Sequence, residues 1–364
     1  MIVQTFSKFR NNSKTKPALF VCCCFLVATT LLSSCRNSDA APDVSAIKTD
    51  VTVLRFDKDF FTMDTTHLQQ SLQAVEHKYP AFLSLYFKFF APVREIAERN
   101  NIPFDAALTE YLRFIRPLYN TVQQKFPNTG NIEKGLEDHF RYIKHYFPLF
   151  QTPVVLTSVE SLNPENPGEI YGTTFYQDTL IISLQMFLGR DYEAYDPTQY
   201  PAYLRRRFEP EYIVPNSIRA IVGELYPDSS QSASLVERMI ENGKQWWLMK
   251  KFLPGTPDSL ITGYNTQQTN WVAKEEGNIW GFLNQNENLF TLEQATIQGY
   301  IGEAPFTQTL PHGNNGEGAP GNIGPWIGWQ IIKKFEERND KLSVQQILRT
   351  PAKKIFAEAK YKPK

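Results

Sequence analysis

The segment Leu32–Cys35 carries the clearest chemistry in the chain, because it ends an apolar run on one cysteine. This layout is typical of a bacterial lipoprotein signal peptide, in which cleavage after small residues frees a cysteine whose thiol is acylated. The apolar run, Ala18–Leu32, has 15 residues and is shorter than the ~20 that span a bilayer. We predict residues 1–34 to be the signal peptide and Cys35 the lipid attachment site; a plain secretory signal or a short transmembrane anchor is the alternative.

Cysteine usage excludes thiol chemistry from the mature chain. The other three cysteines, Cys22, Cys23 and Cys24, lie inside the predicted signal peptide. Only Cys35 remains after cleavage, and acylation uses its thiol. We therefore expect no disulfide, no cysteine nucleophile and no thiolate metal site, so that packing must stabilise the folded domain.

Metal-assisted hydrolysis is a further chemistry that the sequence can be tested for. A helical zinc site needs two histidines four residues apart, with a glutamate that activates water. The chain has five histidines, none four apart and none between residues 146 and 311: His67, His77, His139, His145 and His312. We expect no catalytic zinc, no cofactor and no serine triad, since the Gly-x-Ser-x-Gly motif is also missing. A glycosidase with two carboxylates stays open, because sequence gives no distance between acids.

The charge balance argues against nucleic acid as a partner. The chain has 38 basic and 38 acidic residues, and loss of the four basic residues of the signal peptide leaves the mature chain acidic by four. Binding to a phosphate backbone needs a clustered basic surface. The densest basic run, Arg205–Arg207, stands beside Glu209 and Glu211. We interpret it as an ion-paired helix end, with an anion site as the alternative.

Two further motifs carry less specific information. The segment Gly316–Gly321 matches Gly-x-Gly-x-x-Gly, but no strand precedes it and it contains a glutamate that would repel a pyrophosphate. We predict a Gly-rich loop over residues 312–324 instead. All six tryptophans lie between residues 246 and 329, and Trp326 and Trp329 share a helix face. Aromatic platforms can bind sugars, whereas aromatic residues at helical spacing usually belong to the core.

The periodicity of apolar residues predicts one α+β domain over residues 49–364, mostly helical with a small sheet. A polar tether, residues 35–48, precedes it. We expect strands at 51–57, 154–159, 170–176 and 180–184. Prolines separate several predicted helices between residues 67 and 147. The helices expected in the second half lie at 215–226, 233–253, 266–284, 291–300, 323–339 and 343–360.

Three signatures, taken in order, resemble the GldB family of gliding-motility lipoproteins from Bacteroidota. They are Val236–Lys244 followed by Lys251–Pro254, then Tyr300–Phe306, and finally Ala319–Ile332 followed by Ala359–Pro363. With the predicted lipoprotein signal and Arg55–Asp57, the resemblance covers residues 50–364.

The resemblance implies a degenerate zincin-like metalloprotease scaffold, because the family is similar to predicted zinc proteases of that type. Their metal helix corresponds to Pro215–Leu225, which lacks the His-Glu-x-x-His ligands. Asn242 stands at the position of the third ligand, and Asn322 replaces an arginine that commonly follows Pro-Gly. These departures predict the loss of metal binding and of peptide hydrolysis.

The resemblance thus implies a non-catalytic envelope lipoprotein that supports gliding motility and its surface-protein machinery. Its lipid would hold it to the inner or outer membrane, and we expect it to face the periplasm. The expected partners are the membrane and other envelope proteins of the gliding machinery. The alternatives are an envelope hydrolase acting on peptide or glycan, and a glycan-binding lipoprotein.

A candidate binding surface combines the Gly-rich segment with the departures from the protease pattern. Gly324 and Gly328 are four apart and would leave a notch between Trp326 and Trp329, where a partner backbone can approach glycine closely. Close helix packing inside the domain is the alternative explanation. The residues assigned to this surface are Asn242, Gly243, His312, Asn322, Gly324, Trp326, Gly328 and Trp329.

The first prediction concerns the anchor. Cys35→Ser removes the acylated thiol, so the variant should accumulate as an unprocessed or mislocalised precursor. Membrane fractionation and the mass of the mature chain measure this outcome. A variant that matures and fractionates like the wild type would show that Cys35 is not the lipid attachment site.

Overall fold

A small mixed sheet forms the β part of the protein. The computed structural model describes residues 41–162, 171–308, 310 and 318–363. In this part of the chain the strands are β1 (Val53–Leu54), β2 (Val154–Ser158), β3 (Thr173–Tyr176) and β4 (Thr179–Ser183). They are ordered β1-β2-β4-β3, with β2 parallel to β1 and β4, and with β3 antiparallel to β4. The fold is α+β, as predicted.

Buried aliphatic residues explain why the two longest strands form. Leu180, Ile181 and Ile182 of β4 are all buried, as expected where both faces of a sheet are covered. The strands predicted at 154–159 and 180–184 are confirmed within one residue. The strand predicted at 170–176 begins at Thr173, and Ile170 lies outside the described residues.

The predicted strand 51–57 is wrong in its second half, because a helix begins at Phe56. In α1 (Phe56–Phe61) the side chains of Phe56 and Phe60 stack four residues apart with ring centroids at 5.3 Å. Asp57, in the first turn, suits the positive end of the helix. Its carboxylate is fully buried and accepts hydrogen bonds from Arg55 at 2.7 Å and from the hydroxyl of Thr157 on β2.

The helices of the first half follow the predicted pattern with one exception. They are α2 (Leu68–Lys78), α3 (Pro80–Phe89), α4 (Val93–Asn100), α5 (Phe104–Lys125) and α6 (Gly130–Tyr146). Pro117 lies inside α5 instead of separating two helices. The helix continues because apolar residues on both sides of the proline are buried against the same core, including Ile115 and Val122, and this packing outweighs the cost of the proline.

The second half is a set of helices arranged around one buried helix. The helices are α7 (Ala202–Arg205), α8 (Ile213–Leu225), α9 (Leu235–Phe252), α10 (Asp258–Thr262), α11 (Thr266–Asn286), α12 (Gln294–Ile301), α13 (Ile323–Arg338), α14 (Val344–Arg349) and α15 (Ala352–Ala359). The single helix predicted over 343–360 is two helices, since Thr350 is extended before Pro351, as residues before proline prefer. Residues 41–364 form one compact unit.

Helix α9 lies at the centre of the second half and contacts several other helices. It packs against α13 over the most extensive helix–helix contact, and also touches α6, α8, α10, α12 and α15. A capping box between Ser234 and Glu237 starts it. Among the helices of the described residues, none is both long and apolar enough to cross a membrane.

Two glycines allow α9 and α13 to touch backbone to backbone. A Cβ atom added to Gly328 would collide with the carbonyl of Met239, and one added to Gly243 would collide with the backbone of Gly328 and Trp329. The atoms that an added Cβ would meet belong to the backbone of a helix, so they cannot move aside unless the helix itself shifts.

The second prediction follows from this contact. Gly328→Ala should lower the free energy of unfolding by about 3 kcal/mol or more, because the methyl group forces two helices apart. Gly281→Ala in α11, where an added Cβ meets nothing, is the matched control and should stabilise by about 0.5–1 kcal/mol. Denaturant unfolding measures both. Equal stability of the two variants would contradict the contact.

Candidate functional site

Four residues of the predicted binding surface lie in the interior of the domain. Trp326 and Trp329 are 7% and 3% exposed, and Gly324 and Gly328 are buried beside them. The ring of Trp329 packs edge-on against Trp246 of α9, with centroids 6.3 Å apart. The notch that the glycines leave is occupied by α9 of the same chain. This placement corrects the expectation that the notch is open to a partner.

The other residues of the predicted surface do not lie together. Two are on α9, one is at the start of α13, and one lies outside the described residues. Gly243 lies in the contact between α9 and α13, and the nearby Asn242 is half-buried and donates to the carbonyl of Arg238 at 2.9 Å. Asn322 lies at the start of α13, where its side-chain amide donates to Glu303 at 2.8 Å. His312 lies outside the described residues.

Glu303 connects Asn322 to a cluster of arginines, which we call the arginine cluster: Arg206, Arg207 and Arg219, with Tyr171 and Glu303. Arg207, which is 2% exposed, donates to Glu303 at 2.8 Å and to the carbonyl of Thr262 at 3.0 Å. The guanidinium carbons of Arg207 and Arg219 lie 5.6 and 5.0 Å from the centroid of the Tyr171 ring, within cation–π range.

Two residues with left-handed backbone conformations, Gly263 and Asn322, shape the chain around the arginine cluster. Gly263, which follows α10, has a left-handed φ of +74°, and any side chain there would collide with the Arg207 guanidinium. Asn322 is also left-handed, at φ 60°, a conformation that asparagine tolerates better than most residues. Tyr264 donates to the carbonyls of Gly321 and Asn322 at 3.0 and 3.1 Å, which fixes the chain that enters α13.

The partners of the arginine run differ from the predicted ones. Glu209 pairs with Arg190 at 2.8 Å, and Arg207 pairs with Glu303. The sequence analysis therefore predicted an ion pair in the arginine run but assigned it to Glu209 and Glu211. Glu303 was missed because it is 96 residues from Arg207 in the sequence. Arg219 gave no sequence signal, since it is one basic residue in the otherwise amphipathic helix α8.

A second polar cluster, missed by sequence reasoning, lies at the carboxyl edge of the parallel strands. Glu160 is 1% exposed and has Ser158, Ser183 and Gln185 as neighbours. Burial raises the pKa of Glu160, although polar contacts with these three residues lower it in part. The contacts are poorly aligned, since both carboxylate oxygens lack a well-formed hydrogen bond among the described residues. Burial therefore disfavours the charged form of Glu160.

The helix that the resemblance equates with a metal helix uses its polar residues for packing. In α8, Asn216 donates to the carbonyl of Tyr171 at 2.8 Å and Ser217 donates to the carbonyl of Ile213 at 2.7 Å. Within the ranges that the structure describes, no three His, Cys, Asp or Glu side chains are grouped so that they could hold a metal ion.

The third prediction concerns Glu160. If folding raises the pKa of an acid, the folded state loses stability as the pH rises from the pKa of the acid in the unfolded chain to its pKa in the folded chain. Glu160→Gln keeps the shape and removes the charge, so its melting temperature should exceed that of the wild type increasingly from pH 5 to pH 8. Exposed Glu110→Gln in α5 is the control. A difference that is independent of pH would contradict the buried, uncompensated carboxylate.

The comparisons with known proteins identify the family. The chain matches the family described as gliding motility protein GldB over residues 37–363. No curated protein and no solved structure matches it significantly. The matched range includes both the sheet and the helices around α9. The chain therefore belongs to the gliding motility protein GldB family.

Proposed function

We propose that this protein is a non-catalytic, lipid-anchored envelope component that supports gliding motility in bacteria of the Bacteroidota type. The observation that carries the proposal is the match to the gliding motility protein GldB family over residues 37–363. Its role is to position other envelope proteins of the gliding machinery next to the membrane that holds the lipid.

The use of polar side chains supports a non-catalytic role. Asn216 and Asn242, which stand in segments where a zincin would carry ligands, donate to main-chain carbonyls of their own domain. The buried carboxyl group of Glu160 has no access to solvent. An enzyme needs its acid or base within reach of a substrate, and these groups are committed to the interior.

The distance between anchor and domain supports a position close to the membrane. The first buried side chain of the described residues is Val44, and Thr49 donates to the carbonyl of Glu137 at 2.9 Å. Val44 lies nine positions after Cys35, and an extended chain of nine steps spans at most about 30 Å. A lipid on Cys35 would thus hold the domain within that distance of the bilayer surface.

The tryptophans give no support to a glycan-binding role. A sugar platform needs an exposed aromatic face, but Trp246, Trp326 and Trp329 are each at most 7% exposed. Packing of the core, which was the alternative explanation for their spacing, accounts for these three residues.

The fourth prediction tests the proposal in cells. A gliding strain that lacks this gene should regain movement with the wild type and with Glu160→Gln, because the role requires no acid catalyst. Cys35→Ser should not restore movement, because the domain is no longer held at the membrane. Surface spreading and single-cell tracking measure movement, and immunoblots of whole cells confirm that each variant is present.

Two results would contradict the proposal. One is a stoichiometric zinc ion in the purified chain that resists dialysis, since it would restore the hydrolase alternative. The other is a Glu160→Gln variant that is folded and membrane-bound but does not restore movement to the cells. This result would assign an essential chemical role to the carboxyl group.

A further inference from the structure

The arginine cluster has more positive than negative charge. Three guanidinium groups, those of Arg206, Arg207 and Arg219, surround one carboxylate, that of Glu303, which forms its ion pair with Arg207. Among the described residues, Arg206 and Arg219 form no ion pair with any acid. Burial is the main cause that lowers the pKa of both groups, and repulsion from Arg207 lowers it further, although Tyr171 partly offsets this for Arg219.

The two unpaired arginines also use few of their donors. Arg206 donates from Nη1 to the amide oxygen of Gln268 at 2.6 Å, and Arg219 donates from Nη2 to the carbonyl of Ile261. The Nε atoms of all three arginines are buried and have no hydrogen-bond partner among the described residues. A guanidinium has five donors, and buried donors normally find acceptors.

The side chains of the cluster have the chemistry that binds a planar or tetrahedral oxyanion. Arg207 and Tyr171 form a fixed floor, because Arg207 is 2% exposed and held by Glu303 and Thr262. Arg206 and Arg219 are of intermediate exposure as whole residues, although the Arg219 guanidinium lies deep in the domain. The Nη atom of each arginine that donates no hydrogen bond is not one of the buried unpaired atoms, so an anion would reach the cluster through these two Nη groups. Arginine binds carboxylate and phosphate oxygens through paired, nearly parallel N–H donors.

We propose that Arg206 and Arg219 bind an oxyanion, a carboxylate or a phosphate group, over the floor made by Arg207 and Tyr171. The oxyanion balances the excess positive charge and accepts from donors that have no partner among the described residues. The site goes beyond the proposed role in gliding, and it is tested on the purified chain alone, so either proposal can fail without the other.

Isothermal titration of the full-length chain in detergent, at constant ionic strength in chloride, provides the test. The two probes are inorganic phosphate and glutarate, a small dicarboxylate, and they distinguish the two chemical sources of the oxyanion. The wild type should bind at least one probe saturably. Arg219→Gln should weaken that binding about tenfold or more, as expected for a charge-assisted contact. Arg219→Lys keeps the charge but loses the planar pair of N–H donors, so its affinity for the anion should lie between those of the wild type and Arg219→Gln.

The control is Arg113→Gln, which removes the same charge from an exposed position on α5 and should leave the affinity unchanged. Circular dichroism and the melting temperature without anion check that Arg219→Gln is folded; relief of repulsion should keep its melting temperature equal to or above that of the wild type. Equal weakening by both glutamine variants, or the absence of saturable binding for both probes, would overturn the proposal.

A carboxylate of this chain could also neutralise the cluster, and one variant tests this. Glu165, Glu169 and Glu317 lie outside the described residues. If the combined replacement of all three by glutamine creates anion binding that the wild type lacks, the site belongs to the chain itself and the proposal of an external oxyanion is wrong. Unchanged binding in this variant supports the external ligand.

Discussion

The backbone contact between α9 and α13 is the constraint on which the second half of the molecule depends. Gly243 and Gly328 have no Cβ, so the two helices approach until their main chains touch. This approach brings Trp246 and Trp329 together at the centre of the contact. Because α9 also contacts the helices before and after it, its distance from α13 sets the positions of elements that do not touch α13 themselves.

The same helix holds the end of the chain through one buried charge. Lys244 is 1% exposed, and its ammonium group donates to Glu241 at 2.9 Å, to the carbonyl of Leu348 at 3.1 Å and to that of Thr350 at 2.9 Å. Burial lowers the pKa of Lys244, although Glu241 favours its charged form. All three donors of Lys244 thus meet acceptors, whereas donors of the arginine cluster have no partner among the described residues. This difference separates a structural charge from a candidate binding group.

Much of the fold could be predicted from the sequence, but the site could not. The buried strands around Val155 and Ile181, and the longer amphipathic helices such as α8, α9, α11 and α13, follow from local apolar periodicity. The predicted site combined glycines and tryptophans with two asparagines and one histidine, and the structure shows its glycines and tryptophans inside the helix contact. Their spacing could not distinguish an open notch from a filled one, because both place glycine opposite large side chains.

The sequence by itself determined the features that depend on neighbouring residues: the basic and apolar N-terminal segment that ends at Cys35, the order of helices and strands, and the family signatures from Val236 onward. Only the tertiary structure decided which charges meet. Arg207 finds Glu303 across 96 residues, and Glu160 has no charged partner among the described residues. The reason is physical. Periodicity fixes which face of an element is apolar, but the pairing of buried polar groups depends on how elements distant in sequence pack together.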